Sequence, residues 1–254
     1  TENMELCGLC CTALDMTRYR TEGGDVPKAK VVGTLAKELK MIRSGVPDVI
    51  VVDEQCVRAD VLREARELMM PVITTNDKIM YGLPNRSDDD VEDIIDDLKS
   101  GRDDGALILD FKKLGEVAPR LTQEMSKIRK EKGVVSLPTE EEFNELTSRC
   151  VHCLACELEC PTNLPISDAM TAAEEGDLRP FEILHDKCVA CGRCEQACPK
   201  DIPVLNVIEK ASQKVIREER GKVRVGRGEI SDPEIREEGV NLVMGTTPGM
   251  IAMV

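Results

Sequence analysis

Short apolar runs recur along the first part of the chain. Three of them are rich in Val, Ile, Leu and Thr: residues 49–53, 72–75 and 106–110. Runs of this length and composition are typical of buried strands in a parallel sheet. Because amphipathic stretches separate them, residues 1–135 are predicted to form a partial Rossmann-like α/β domain with a parallel sheet.

The amphipathic stretches predict helices. Residues 29–44 carry apolar side chains at helical spacing, and Gly45 and Pro47 predict where this helix ends. Asp60 and Ser87 can accept hydrogen bonds from the first turns of two further helices. A helix between successive strands is the connection that a parallel sheet commonly uses.

A largely helical pattern follows the α/β part. Thr139 and Glu142 have the spacing of a capping box, which opens a helix. Further helices are predicted over residues 166–175 and 202–220. We therefore expect residues 136–220 to form a separate domain that is inserted into the α/β fold.

Both ends of the sequence carry strand-like apolar segments, at residues 4–10 and 242–254. Residues 221–254 are expected to contain a linker and then the start of another α/β domain. A natural terminus rarely leaves such a strand unpaired, and the first residue is Thr1 rather than Met. We expect the sequence to be a fragment that is cut inside a domain at both ends.

Eight of the twelve cysteines lie in two groups with the same spacing, C-x2-C-x2-C-x3-C-P. Residues 150–165 and 188–203 agree at every cysteine, at one Val, at one Glu and at both prolines. In this ferredoxin-type arrangement three thiolates bind one 4Fe-4S cluster and the fourth thiolate reaches the other cluster. One cluster is therefore predicted at Cys150, Cys153, Cys156 and Cys198, and the other at Cys188, Cys191, Cys194 and Cys160.

Two structural zinc sites are the alternative, but zinc has no use for the third closely spaced cysteine or for the trailing proline. The predicted helix between the groups is typical of two-cluster ferredoxin-like domains inside larger redox enzymes. Lys187, Arg193 and Lys200 lie near the second group, where they either raise its reduction potential or are ordinary surface charges. We favour surface charges. We also expect surface or supporting roles for His152 and His185 rather than proton transfer.

Composition excludes several classes of function. The net charge of −14 argues against binding to nucleic acid, which needs basic patches, and against docking on an anionic membrane. No apolar run reaches the roughly 18 residues that span a bilayer, and no secretory or lipidation motif is present. Twelve cysteines, eight of them in two tight groups, predict metal binding in a reducing compartment. We expect a cytoplasmic protein.

Four cysteines lie outside the two groups: Cys7, Cys10, Cys11 and Cys56. Cys10 and Cys11 follow the first predicted strand, and Cys56 follows the strand at residues 49–53. Ligand sites in parallel sheets lie beyond the carboxyl ends of the strands. These thiols therefore either bind a further metal or pack as buried free cysteines.

Three segments resemble the nickel-containing anaerobic carbon monoxide dehydrogenases: residues 7–15 (CGLCCTALD), 51–58 (VVDEQCVR) and 241–249 (NLVMGTTPG). The resemblance covers essentially the whole sequence. It is closest to the α subunits of archaeal acetyl-CoA decarbonylase/synthase complexes, which carry a two-cluster ferredoxin-like insertion in this position. It implies that Cys11 binds the pendant iron of a nickel–iron–sulfur active cluster, and Cys56 an iron of its cubane-like part. Cys10 stays outside that ligand set, and the remaining ligands would lie outside this sequence.

The same resemblance implies the reaction CO + H2O → CO2 + 2 H+ + 2 e−, with electrons passing through the 4Fe-4S clusters to an external ferredoxin. It implies a homodimer with a small accessory subunit in a larger synthase complex. The fragment alone is expected to be inactive. Two alternatives stay open: an electron-transfer subunit similar to heterodisulfide reductase, and a scaffold whose clusters are structural. Nickel content would separate the first from a dehydrogenase, and reversible reduction of the clusters would argue against the second.

Overall fold

The computed structural model describes the protein at residues 4–9, 30–33, 38–53, 59–134, 137–214, 223–225, 228–230 and 250–253. The chain divides into two compact units, residues 1–134 with 221–254, and residues 135–220. Within the described residues, no helix is both long enough and apolar enough to cross a membrane.

The first unit alternates strands and helices over most of its length. Its elements in chain order are β1 (Leu6–Leu9), β2 (Lys30–Gly33), α1 (Glu38–Arg43), β3 (Val49–Val52), α2 (Val61–Glu67), β4 (Val72–Thr74), a short 3-10 helix (Asp77–Ile79), α3 (Val91–Ser100), β5 (Gly105–Leu107), α4 (Phe111–Glu131), β6 (Val223–Val225), β7 (Gly228–Ile230) and β8 (Met250–Met253). The three strands predicted from apolar runs are present as β3, β4 and β5. The third is shorter than its run, because it ends at Leu107.

A six-stranded sheet in the order β2-β1-β8-β3-β4-β5 forms the centre of this unit. β3, β4 and β5 are parallel neighbours, with Val51 opposite Ile73 and Ile73 opposite Ala106. β1 and β2 are also parallel, whereas β8 lies antiparallel between β1 and β3. The parallel sheet predicted from the sequence is thus present at β3–β5, but the complete sheet is mixed.

The position of β8 differs from the expectation for the C-terminal segment. Residues 242–254 predict the start of another α/β domain, whereas Met250–Met253 pair with both β1 and β3 of the first unit. Without β8, the facing edges of β1 and β3 would present unpaired N–H and C=O groups. Pairing with β8 satisfies both edges.

One apolar core of the first unit lies between β3–β5 and the helices α3 and α4. α3 buries Ile94, Ile95 and Leu98, and α4 buries Leu121 and Met125 among others, at the three- and four-residue spacings of an apolar helix face. Each such side chain stabilises the fold by about 1.5–3 kcal/mol when fully buried. The apolar faces of α3 and α4 therefore form a packed layer against the sheet.

Arg129 connects the end of α4 to two turns of the same unit. Its guanidinium is only 7% exposed and donates to Asp48 Oδ1 at 2.7 Å. It also donates to the carbonyl oxygens of Gly45, Pro47 and Leu68. Because the buried charge has both an anionic partner and several acceptors, its desolvation is offset.

The second unit is helical. Its elements are α5 (Glu140–Ser148), α6 (Ala155–Leu158), α7 (Ile166–Glu174), α8 (Arg179–Lys187), α9 (Arg193–Gln196) and α10 (Val204–Ala211). The predicted helix at 166–175 is confirmed as α7. The helix predicted over 202–220 is present as the shorter α10, and residues 215–220 of that range lie outside the described part of the chain.

The capping box predicted at the start of α5 is confirmed. The N–H of Glu142 donates to Thr139 Oγ1 at 3.2 Å, and the N–H of Thr139 donates to Glu142 Oε2 at 2.8 Å. Behind α5, the rings of Phe143 and Phe181 meet edge to face, with centroids 6.4 Å apart. Around this pair, aliphatic side chains of α7, α8 and α10 form one apolar core, against which most of the grouped cysteines pack.

Candidate metal centres

The grouped cysteines line two separate recesses in the second unit. The first is lined by Cys150, Cys153, Cys156 and Cys198. The second is lined by Cys188, Cys191, Cys194 and Cys160. Each recess thus gathers three cysteines from one group and the fourth from the other group. The grouping is the one that the spacing predicts, while ligation by these thiols stays a prediction.

The two cysteine loops share an unusual backbone conformation. His152 and Ala190 occupy matching positions of the repeat, and both have φ of 50°. Leu154 and Gly192 also match, with φ of 64° and 75°, and each directly precedes a short helix. Residues other than glycine rarely adopt positive φ. Its recurrence in both loops shows that the repeat specifies the backbone path around each recess.

Backbone N–H groups reach the sulfur atoms in both loops. The N–H of Ala190 lies 3.3 Å from Cys188 Sγ, and the N–H of Leu164 lies 3.4 Å from Cys160 Sγ. Such bonds stabilise negative charge on sulfur, and they are one of the means by which proteins set the potential of iron–sulfur clusters. The arrangement therefore suits thiolates that carry the charge of a cluster.

Apolar side chains form the walls of both recesses. Met170, Ile202 and Val204 line the first recess, and Ile166, Leu205 and Ile208 are among those that line the second. α7 and α10 supply most of these walls. Among the described residues, no three His, Cys, Asp or Glu side chains converge as a single metal ion would require. Four soft thiolates around an apolar recess fit the donor set of a 4Fe-4S cluster.

The thiols differ in their electrostatic environments. Burial, followed by the charge of Glu195, raises the pKa of Cys194 to about 12. Burial, followed by the charge of Glu157, raises the pKa of Cys156 to about 11. Burial acts in the same direction on Cys160, but hydrogen bonds from Thr162 and nearby amides lower its pKa below the usual value. Metal binding at Cys156 and Cys194 must therefore displace a proton at neutral pH.

The glutamate retained in the repeat has a role that the sequence did not reveal. Glu157 Oε1 accepts a hydrogen bond from the N–H of Ser167 at 2.7 Å, and Glu195 Oε1 accepts one from the N–H of Leu205 at 2.9 Å. In the sequence, the one indication was that both groups have a glutamate directly after their third cysteine. Spacing alone could not show which backbone groups they would reach.

The basic residues of the second group are not arranged around its own recess. Lys200 lines the first recess, because Cys198 extends to that side. Arg193 forms an ion pair with Glu159 at 2.7 Å, and both side chains are about half exposed. The backbone carbonyl of Lys200 accepts a hydrogen bond from Arg149 at 2.5 Å. These contacts link the two cysteine loops at the surface, as expected for surface charges.

Both histidines have partners inside the second unit. His152 Nδ1 lies 3.9 Å from Cys150 Sγ and 3.2 Å from Thr171 Oγ1. The ring of His185 is buried, and its Nε2 lies 3.4 Å from Glu209 Oε1. Both side chains therefore interact with neighbouring residues of the second unit, in line with the surface or supporting role expected from the sequence.

The remaining cysteines belong to the first unit. Cys7 is buried in β1, where it pairs with Lys30 of β2 and Ala252 of β8. Cys10, Cys11 and Cys56 lie outside the described residues. The predicted pair of active-cluster ligands, Cys11 and Cys56, is therefore still a prediction.

Comparison with known proteins assigns both parts of the chain. The model of the Prismane/CO dehydrogenase family matches residues 1–163, and that of a 4Fe-4S dicluster domain matches residues 149–202. The α subunit of the acetyl-CoA decarbonylase/synthase complex of Methanococcoides burtonii is 71% identical over 253 residues. The subunit alpha 1 of Methanosarcina barkeri is 57% identical over 254 residues, and the α subunit of Methanothermobacter thermautotrophicus is 48% identical over 255.

These matches cover 100% of the chain but only 32% of each relative. The chain therefore spans about a third of the length of the curated relatives that it matches. Its family match extends over more than half of the sequence, and all eight grouped cysteines lie within the range of the dicluster match. The chain belongs to the Prismane/CO dehydrogenase family.

Proposed function

We propose that this chain is part of a carbon monoxide dehydrogenase subunit, in which the second unit carries electrons through two 4Fe-4S clusters. The overall reaction is the reversible oxidation of CO with water to CO2, two protons and two electrons. The observation that carries the proposal is the gathering of four thiols around each of two apolar recesses. The family match supports the catalytic part.

The proposed division of labour follows the two units. Residues 1–135 would form a partial Rossmann-like domain that contributes Cys11 and Cys56 to a nickel–iron–sulfur group. The alternation β3-α2-β4-α3-β5 supports such a domain. Residues 136–220 would form the two-cluster ferredoxin-like domain. Residues 221–254 would form a linker that returns the chain to the first unit, where Met250–Met253 pair with β1 and β3.

The residues of the second unit have three tasks in this function. The eight cysteines hold the clusters, the apolar walls exclude water, and the backbone N–H groups at Cys160 and Cys188 stabilise charge on sulfur. When bound, the nickel–iron–sulfur group would supply a metal that activates water, and the 4Fe-4S clusters would supply one-electron carriers. The carriers suit delivery of electrons to an external ferredoxin. A homodimer with a small accessory subunit, inside a larger synthase complex, completes the proposal.

The full subunit tests this function through Cys11→Ala. We expect CO oxidation to be abolished, because a ligand of the catalytic metal group is lost, while the two 4Fe-4S clusters keep their electron paramagnetic resonance (EPR) signals. Cys56→Ala is expected to give the same result. Cys7→Ala is the matched control, since this thiol packs in β1 and should leave the reaction in place.

Metal analysis of the unaltered subunit completes the test. The second unit should account for about eight irons and eight sulfides, as two 4Fe-4S clusters require. One zinc per cysteine group in place of iron would contradict the electron-transfer role. Full CO oxidation by the Cys11→Ala variant would contradict the catalytic assignment.

A further inference from the structure

Glu157 and Glu195 stand at the same position of the repeat, directly after the third cysteine of each group. Their carboxylates accept hydrogen bonds from the N–H groups of Ser167 and Leu205, at 2.7 and 2.9 Å. Both glutamates are half-buried. Two independent copies of the repeat therefore make the same contact, which argues that the contact has a shared purpose.

The contact compensates for a missing helix cap. Ser167 and Leu205 are the second residues of α7 and α10, which follow Pro165 and Pro203, and neither proline position provides a side-chain cap. The first N–H groups of a helix have no partner within the helix. A carboxylate placed there accepts one of them and also interacts favourably with the positive end of the helix dipole. Each glutamate, on the short helix α6 or α9, thus caps the next helix of the chain.

Each capped helix lines the recess of the same glutamate's group with two residues, Ser167 and Met170 of α7 in the first recess and Leu205 and Ile208 of α10 in the second. The first residue of each helix lines the other recess, Ile166 of α7 the second and Val204 of α10 the first. Glu157 and Glu195 lie on the short helices α6 and α9, which carry the third cysteine of each group. The hydrogen bond therefore connects three cysteines of a site to the helical wall of that site.

We propose that Glu157 and Glu195 are equivalent positioning residues, each of which holds a three-cysteine loop against the wall of its own recess and places one negative charge beside its third cysteine. The inference rests on the proposed function, since it concerns how the two clusters are retained and tuned. Negative charge near a cluster disfavours the more negative reduced state, so each glutamate lowers the potential of its own cluster.

The test distinguishes the positioning effect of each glutamate from the effect of its negative charge. It uses the full subunit, purified under anaerobic conditions. In Glu157→Ala the N–H of Ser167 loses its acceptor, and we expect an iron chelator to remove the first-site cluster roughly tenfold faster, as loss of a charge-assisted hydrogen bond implies. The second-site cluster should be much less affected, since α7 contributes only Ile166 to that recess. Glu195→Ala should give the mirror result.

Glutamine at the same positions keeps an acceptor oxygen and removes the charge. In Glu157→Gln and Glu195→Gln, the iron chelator should therefore remove both clusters no faster than it does from the unaltered subunit. Each should raise the reduction potential of one cluster only, measured by redox titration followed by EPR. If an alanine variant does not fold, the glutamine variant still decides the question through this shift.

Glu175→Ala is the matched control, because it removes an exposed carboxylate from the opposite end of α7. It should change neither retention nor potential. The inference is overturned if both clusters respond equally to one substitution, or if the glutamine variants leave both potentials unchanged. A subunit that lacks the clusters altogether would defeat the proposed function, whereas a two-cluster subunit that is indifferent to these substitutions would defeat only this inference.

Discussion

The first and second recesses have the same plan but different surroundings. In the first recess Cys153 is exposed and Cys156 is half-buried, whereas in the second Cys191 is half-buried and Cys194 is only 7% exposed. The first loop also presents exposed apolar side chains, Leu158 above all, at 84% exposure. The first recess is therefore the more open of the two in the described structure.

The shared features are those that determine geometry. Both recesses have crossed cysteines, positive φ at matching loop positions and a glutamate that caps the following helix. The side chains at the positive φ positions differ, since His152 matches Ala190 and Leu154 matches Gly192. The comparison teaches that the backbone path is retained in both copies, whereas residues that affect exposure have diverged.

The largest expected effect tests whether each cluster is bound by three cysteines of one group and the fourth cysteine of the other group. Cys198→Ser should disrupt the first-site cluster, although Cys198 belongs to the second group of the sequence, and Cys160→Ser should disrupt the second-site cluster. The reason is that each of these thiols lines the opposite recess. EPR spectra and iron content of the two variants provide the measurement. If each variant loses the cluster of its own sequence group, the crossed arrangement is wrong.

A smaller effect tests the difference in exposure. When an iron chelator is added to the full subunit, the first-site cluster should be lost before the second, because Cys153 is exposed and every cysteine at the second site is at least partly buried. The serine variants at Cys160 and Cys198 assign each EPR signal to its site. Equal rates, or earlier loss of the second-site cluster, would show that this difference in exposure does not govern access.

The smallest effect concerns the loop backbone. Gly192→Leu should lower the free energy of unfolding by about 1–2 kcal/mol, because a side chain is strained at a φ of 75°. Leu154→Gly should be neutral or stabilising by less than about 1 kcal/mol, since relief of strain is offset by the greater freedom of glycine in the unfolded chain.

Denaturant unfolding of the two loop variants, with both clusters present, provides the measurement. The Cβ of the new side chain does not clash, as the nearest atom to a Cβ added at Gly192 is Glu195 Oε2 at 4.0 Å. If Gly192→Leu raises the free energy of unfolding instead, the backbone at this position of the loop is not strained for a side chain.

Local patterns in the sequence were sufficient for several elements of the fold but not for all of them. Residues 30–33 of the helix predicted over 29–44 form β2 instead, and α3 begins after Asp90 rather than after Ser87. The apolar runs predicted β3, β4 and β5, and the Thr139–Glu142 spacing predicted the capping box of α5. These features depend on residues that are close together in the chain, so their physical cause is visible in the sequence. The position of β8 depends instead on the free edges of β1 and β3, which are far away in sequence. No local pattern could therefore reveal that the sheet is mixed.

The sequence by itself determined which eight cysteines belong together and how they are paired across the repeat, because the spacing limits which thiols a short loop can bring to one cube. Only the tertiary structure decided that Lys200 lines the first recess and that Glu157 and Glu195 cap α7 and α10. The two glutamate contacts arise where the chain turns back and packs a short helix against the helix that follows it. Their partners are selected by three-dimensional packing, which residue spacing does not encode.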